Sequence, residues 1–239
     1  MMKIDIMTLF PEAVEAVLGS SIIGRGRKAG LLEINTHQIR DYAIDRHGRT
    51  DDYPYGGGKG MLMQCEPLYR CHSDITKGRH IHTVMMSAQG IPFDQGKAKE
   101  LLAREHIIIV CGHYEGIDRR FIDECVDEEI SLGDFVLTGG EIAAMAISDA
   151  ICRMVPGVLA EDVCFEDESH YNGLLEYPQY TRPEVWHGVR VPEVLLSGHH
   201  ENIRKWRLKQ SLMLTKERRP DMFEKLEMSR EEIEKILKE

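Results

Sequence analysis

Ile107-Ile108-Ile109-Val110-Cys111-Gly112-His113-Tyr114-Glu115-Gly116 is the segment on which the fold turns. Its first five residues are apolar without a break, and four of them are β-branched. That composition suits a strand covered on both faces rather than one alternating between core and water. Such strands belong to parallel sheets flanked by helices, where ligands sit outside the carboxyl ends of the strands. The glycines that follow allow main-chain groups to approach a ligand closely.

Upstream, residues 81–86 read as a strand and 94–105 as a helix. Residues 3–9 alternate as a strand does, and Pro11 opens a helix through Leu18, as proline at a first helical position should. Residues 32–39 form a second strand and 64–77 a helix. Downstream, 140–154 is a nearly all-apolar helix, too short to span a membrane, and reads as a core or subunit-interface helix. Pro156, Pro178 and the acidic stretch 161–169 then mark a change of composition and a domain boundary. Beyond it the chain reads as helical. Ile203, Trp206, Gln210 and Leu214 define a helix over 199–217 with Trp206 as its core anchor. Ser229 and Glu232 make a capping box for a last helix to Lys238.

The chain has 239 residues, 42% hydrophobic and 29% charged, which excludes a disordered or fibrous protein. There is no apolar run of ~20 residues and no signal-peptide pattern, so a cytoplasmic protein is expected. The six cysteines form no C-x-x-C pair, and Cys111 and Cys152 sit in apolar runs as core thiols. The net charge of −10 argues against a nucleic-acid partner only on average. Residues 201–219 hold seven basic and two acidic side chains, a local face able to meet phosphate.

Three glycine loops follow strands: 87–90, 112–116 and 132–140. Each is compatible with simple strand termination; together they make a shared site plausible. A fourth, 51–61, has four glycines within five positions and fits a lid over substrate or a plain flexible connection. No G-x-G-x-x-G follows the first strand, and the spacing from Gly90 to Gly96-Lys97 breaks the phosphate-loop pattern.

In this order the loops resemble the bacterial tRNA (guanine-N1)-methyltransferases of the knotted SPOUT class. The matching strings include Leu9-Phe10-Pro11-Glu12, Pro54-Tyr55-Gly56-Gly57-Gly58, Tyr114-Glu115-Gly116-Ile117-Asp118, Gly139-Gly140-Glu141, Tyr180-Thr181-Arg182-Pro183-Glu184 and Trp206-Arg207-Leu208-Lys209-Gln210-Ser211. They cover all but about the last 20 residues of the chain. The resemblance implies an α/β fold with a parallel sheet and a C-terminal trefoil knot, followed by a small all-helical domain. The domains would be a donor-binding one over 1–160, an acidic linker over 161–172 and a tRNA-binding one over 173–239. It implies methylation of N1 of the guanine at tRNA position 37, after a guanine at 36, from S-adenosylmethionine. It also implies a homodimer with shared active sites, the tRNA anticodon stem-loop as partner, neither DNA nor membrane as partner, and a magnesium requirement with no ligand set assigned.

Carried over residue by residue, the donor contacts are Ser87, Ala88 and Gly90, then Gly112, Tyr114, Glu115 and Gly116, then Ser131, Leu132, Gly133, Asp134, Phe135, Val136, Leu137, Gly139 and Gly140. Substrate contacts are Asp51, Gly57, Gly58, Arg182, Arg204, Arg207 and Lys209. Arg153 matches the catalytic arginine. The general base is an aspartate in the family; counting without gaps from Arg153 or Gly173 puts Glu168 there, with Asp167 one residue earlier as the alternative base. Ala88 stands where proline is usual, and His170 where phenylalanine is. The residue types suit the chemistry: guanine N1 must lose its proton as it attacks, and negative charge then builds on O6. A carboxylate base and a fixed guanidinium meet those two needs.

Overall fold

The computed structural model describes residues 1–159 and 168–238. The alternative base Asp167 and most of the acidic stretch therefore lie outside the described residues. The chain divides into two compact units, Met1–Asp162 and Val163–Glu239, each with its own core.

The first unit runs β1 (Met2–Thr8), α1 (Pro11–Leu18), α2 (Ser21–Lys28), β2 (Leu32–Gln38), a 3-10 turn (Ile39–Tyr42), β3 (Asp51–Asp52), β4 (Leu62–Met63), α3 (Cys65–Thr76), β5 (His82–Pro92), α4 (Gln95–Leu102), β6 (His106–Cys111), α5 (Arg119–Cys125), β7 (Glu128–Ser131) and α6 (Glu141–Cys152). Five strands form one sheet in the order β2-β1-β6-β5-β7, parallel at every pairing. β6 lies at its centre, and Ile107 to Cys111 are all fully buried, as an apolar run without alternation requires. Ile108 and Val110 pack with Leu68, Cys71 and Phe121 of α3 and α5. Ile107 and Ile109 point the other way, to the face that α6 contacts.

Several features add to the sequence reading. α2 carries two glycines; Gly24 is needed because a Cβ there would lie 2.2 Å from the Gly19 carbonyl oxygen. The short α5 starts where the Asp118 side chain accepts the Arg120 N–H at 3.0 Å. β7 is the strand that the third glycine loop follows, and at the sheet edge its Glu128 is matched by Lys97 Nζ at 3.0 Å and His82 Nε2 at 2.8 Å. β5 is longer than the predicted 81–86. Residues 87–90 bulge out of it, and pairing with β7 resumes at Ile91 and Pro92. That loop therefore interrupts a strand instead of ending one.

In the middle of β1, Asp5 is buried and accepts hydrogen bonds from His37 and His106, at 2.8 and 2.7 Å.

The second unit corrects the all-helical expectation. It contains a hairpin, β8 (Val185–Trp186) and β9 (Val189–Arg190), before α7 (Glu193–Leu196), α8 (His200–Arg218), α9 (Pro220–Phe223) and α10 (Arg230–Lys238). The hairpin turns through His187 and Gly188, both at positive φ, as a two-residue primed turn needs. Leu174, Leu212 and Ile233 form the core. Trp206 is only half-buried, 6.4 Å from the Tyr180 ring, because the stripe that α8 buries is Ser211, Leu212 and Thr215. The capping box forms: Ser229 Oγ accepts the Glu232 N–H at 3.2 Å, and Glu232 Oε2 accepts the Ser229 N–H at 3.0 Å. Among the described residues no helix is long and apolar enough to cross a membrane.

Candidate active site

At the carboxyl ends of β5, β6 and β7 the first unit opens into a cavity of about 380 Å³. Three segments far apart in sequence form its walls. From the bulge of β5 come Ser87 and Ala88; from the loop after β6 come Gly112, Tyr114, Glu115 and Gly116. The loop between β7 and α6 supplies Ser131, Leu132, Phe135, Val136, Leu137, Gly139 and Gly140. Thirteen of the sixteen expected donor contacts thus face one space. Gly90, Gly133 and Asp134 are not in its lining. Gly90 serves the sheet, since a Cβ there would lie 2.5 Å from the Glu129 carbonyl carbon and the Ile130 nitrogen.

Main-chain proximity builds the cavity floor. The Gly140 N–H donates to the Gly112 carbonyl at 2.8 Å, bringing the start of α6 against the end of β6. A Cβ on Gly140 would stand 2.8 Å from Cys111 Cα and 2.9 Å from the Gly112 nitrogen, so only glycine fits. Tyr114 holds a φ of 59° and Gly116 one of 139°, which fold the loop back over the cavity. Its position is secured from below by β4: the Met63 N–H donates to the Gly116 carbonyl at 2.9 Å and the Glu115 N–H to the Met61 carbonyl at 3.0 Å.

Sequence reasoning missed the polar groups behind this floor. Glu141, at the first turn of α6, is buried, and Thr8 Oγ1 donates to its Oε1 at 2.8 Å. The positive end of the α6 dipole favours a carboxylate there. His113 lines the cavity, its ring 5.2 Å from Phe10 and 5.0 Å from Tyr114, and its Nδ1 is buried with no hydrogen-bond partner among the described residues. A buried polar atom of this kind ordinarily has a partner. The signal available in sequence was Glu141 itself, a charge at the first position of a nearly all-apolar helix. The Cys111 thiol on the same floor is pushed up by burial and by Glu141.

The remaining site residues lie on other elements of the two units. Arg153 follows the last turn of α6, its N–H bonded to the Asp149 carbonyl at 3.0 Å. Glu168 belongs to the second unit and is half-buried. Asp51 begins β3, and Gly57 and Gly58 lie exposed in the loop after it with positive φ. Arg204 and Lys209 line a groove of about 860 Å³ beside α8, together with Lys205, Trp206 and Lys235. Arg207 is outside the groove and stacks over the Tyr177 ring at 4.7 Å. Arg182 is exposed and also outside it. Among the described residues no cluster of three His, Cys, Asp or Glu could hold a metal ion.

The profile of the tRNA (guanine-1)-methyltransferase TrmD family matches residues 2–225. The chain belongs to that family. The curated relatives bear the same name, tRNA (guanine-N(1)-)-methyltransferase. That of Ruminiclostridium cellulolyticum is 56% identical over 227 residues, covering 94% of this chain and 97% of its own. That of Clostridium acetobutylicum is 56% identical over 231 residues, covering 97% and 95%. That of Clostridium perfringens is 55% identical over 237 residues, covering 99% of both. Membership in the TrmD family assigns an enzyme class, methyl transfer to a tRNA guanine.

Proposed function

We propose that the chain methylates N1 of the guanine at tRNA position 37, after a guanine at 36, using S-adenosylmethionine held in the cavity after β5, β6 and β7. The observation that carries this reading is the convergence of three glycine-bearing segments on one space in a chain of the TrmD family. The cavity suits the donor. Its volume falls within the ~300–1,000 Å³ of small-molecule sites. Glycines at 112, 139 and 140 leave main-chain groups accessible, apolar side chains such as Leu132 and Leu137 suit a base, and His113 Nδ1 offers an unused polar atom. Bound there, the donor supplies an activated methyl on a sulfonium.

The chain's own residues would do the rest. Glu168, or Asp167 one residue earlier, takes the proton from N1. Arg153 faces O6 and stabilises the charge that develops there. The walls of the cavity fix the direction of attack, which is the main source of acceleration when no covalent enzyme intermediate is needed. Arg204 and Lys209 of the α8 groove, with Arg207 and Arg182, hold phosphates of the anticodon stem-loop, so affinity falls as salt rises. Asp51, Gly57 and Gly58 contact the target nucleotides. The reading includes a trefoil knot formed by the loops around the donor, a homodimer with shared sites, a cytoplasmic enzyme and Mg²⁺ as an accessory ion. Its domains are those expected from sequence, 1–160, 161–172 and 173–239.

The test is methyl transfer from labelled S-adenosylmethionine to a transcript with guanines at 36 and 37, against the same transcript with adenine at 37. Transfer to guanine alone, lost in Arg153→Ala and Glu168→Ala but retained in Asp167→Ala, is expected. Loss in Asp167→Ala and retention in Glu168→Ala moves the base by one residue. No transfer by a folded parent that binds the donor overturns the reading.

A further inference from the structure

Tyr53 and Tyr55 are the largest apolar groups that the first unit leaves out in water on a single loop: Tyr53 is 79% exposed and Tyr55 fully exposed. Aromatic rings are ordinarily a chain's best burial material, and two of them displayed together on a loop mark a contact surface.

The loop is open at its tip and anchored at its base. Asp51 and Asp52 pair with Met63 and Leu62, and the Gln64 N–H donates to the Thr50 carbonyl at 2.8 Å. At the tip, the Tyr53 N–H is held by Asp52 Oδ1 at 2.8 Å, and the Gly57 N–H donates to the Pro54 carbonyl at 3.2 Å. The exit of the loop abuts the cavity rim. A Cβ on Gly60 would lie 2.3 Å from Glu115 Cγ, and Leu62 and Glu115 both line the cavity. Tyr55 also lies near Arg120, whose guanidinium donates to Asp118 Oδ2 at 2.7 Å.

Charge separates two ways in which such a loop could meet RNA. Residues 45–60 hold three cations, Arg46, Arg49 and Lys59, against three carboxylates, Asp45, Asp51 and Asp52. Arg49 is taken by Asp45 at 2.6 Å. A balanced loop has no net pull on phosphates; what it offers is two π-faces.

We propose that Tyr53 and Tyr55 form a stacking platform for unpaired bases of the RNA substrate next to the target guanine. The inference rests on the reading of the cavity as the methyl-transfer site, because the exit of the loop that carries the two rings abuts that cavity at Gly60 and Leu62. Stacking accepts any base, so the platform orders the single-stranded loop while other groups read its sequence.

The experiment uses full-length enzyme and a tRNA anticodon stem-loop with 2-aminopurine beside the target guanine. Parent protein quenches its fluorescence on binding, without any need for turnover. Tyr55→Ala loses most of the quench and raises the KM for tRNA about tenfold, with kcat, donor affinity and oligomeric mass unchanged. Tyr55→Phe keeps both the quench and the parental KM, and Tyr53→Ala gives the same type of loss. The KM ratio of Tyr55→Ala to parent stays constant between 50 and 200 mM salt, because no phosphate contact is removed. An unchanged quench and KM in Tyr55→Ala overturns the platform, as does a shift of that variant to a smaller oligomer, which would put the rings against a second copy of the chain. A parent that quenches but transfers no methyl refutes the proposed activity and leaves the platform supported.

Discussion

Replacing Asp5 by asparagine tests the least expected feature of the sheet. The carboxylate is 2% exposed and accepts from His37 Nε2 at 2.8 Å, His106 Nε2 at 2.7 Å and Asn35 Nδ2 at 3.1 Å. Lys3 Nζ lies 4.0 Å away and is itself bound to Glu33 at 2.6 Å. Burial pushes the carboxyl up, but the hydrogen bonds from the two imidazoles and Asn35 outweigh it and hold the group down at about 2, from an ordinary 3.8. At about 1.4 kcal/mol per pH unit, that lowering stabilises the fold by about 2 kcal/mol at neutral pH. A depressed carboxyl contributes fully above its unfolded value, and the contribution is lost as pH falls from about 4 through about 2. Asp5→Asn is therefore expected to cost about 2–3 kcal/mol at pH 7, with about half of that difference left at pH 3. Urea unfolding of parent and variant at pH 7, 4 and 3 reads the difference directly, since the other carboxylates titrate in both. A gap that is absent at pH 7, or constant down to pH 3, refutes the reasoning.

Thr8→Val removes the 2.8 Å hydrogen bond to buried Glu141 and should lower stability by about 1–3 kcal/mol; an unchanged Tm contradicts it. Gly140→Ala forces a Cβ to within 2.8 Å of Cys111 Cα, costs about 1–3 kcal/mol, and should weaken S-adenosylmethionine binding by calorimetry; parental affinity would show that the floor yields. Cys71 and Cys111 are fully buried and burial pushes both thiols up, so a disulfide reagent at pH 8 should leave them untouched until urea unfolds the chain. Ser229→Ala breaks the capping box of α10 and should cost about 1 kcal/mol, read in the unfolding of the second unit.

Much of the sheet was legible because its signals are local. The unbroken apolar run at 107–111 announces a strand buried on both faces, and it is the central strand. Pro11 marks the first residue of α1, as its missing N–H allows. Where the reading failed, a local signal pointed the wrong way. The α8 pattern through Trp206 is displaced from the stripe that is buried, because Leu174 and Ile233, not the helix's own most apolar residues, decide which face turns inward.

The candidate site divides along the same line. Glycine content after strands was readable, so most of the cavity lining was named from sequence and resemblance. The Thr8–Glu141 pair was not, because it joins residues 133 positions apart along the chain.

By itself, then, the sequence determined the alternation of strands and helices, the breaks at proline and glycine, and membership in the TrmD family. Those properties reside in runs of neighbouring residues, where side-chain period and backbone freedom act directly. Only the tertiary structure decided the order β2-β1-β6-β5-β7, the bulge that keeps residues 87–90 within β5, and the meeting of three glycine-bearing segments on one cavity. These depend on which strands pair and how closely two backbones approach, and that is settled by packing between residues the chain itself keeps far apart.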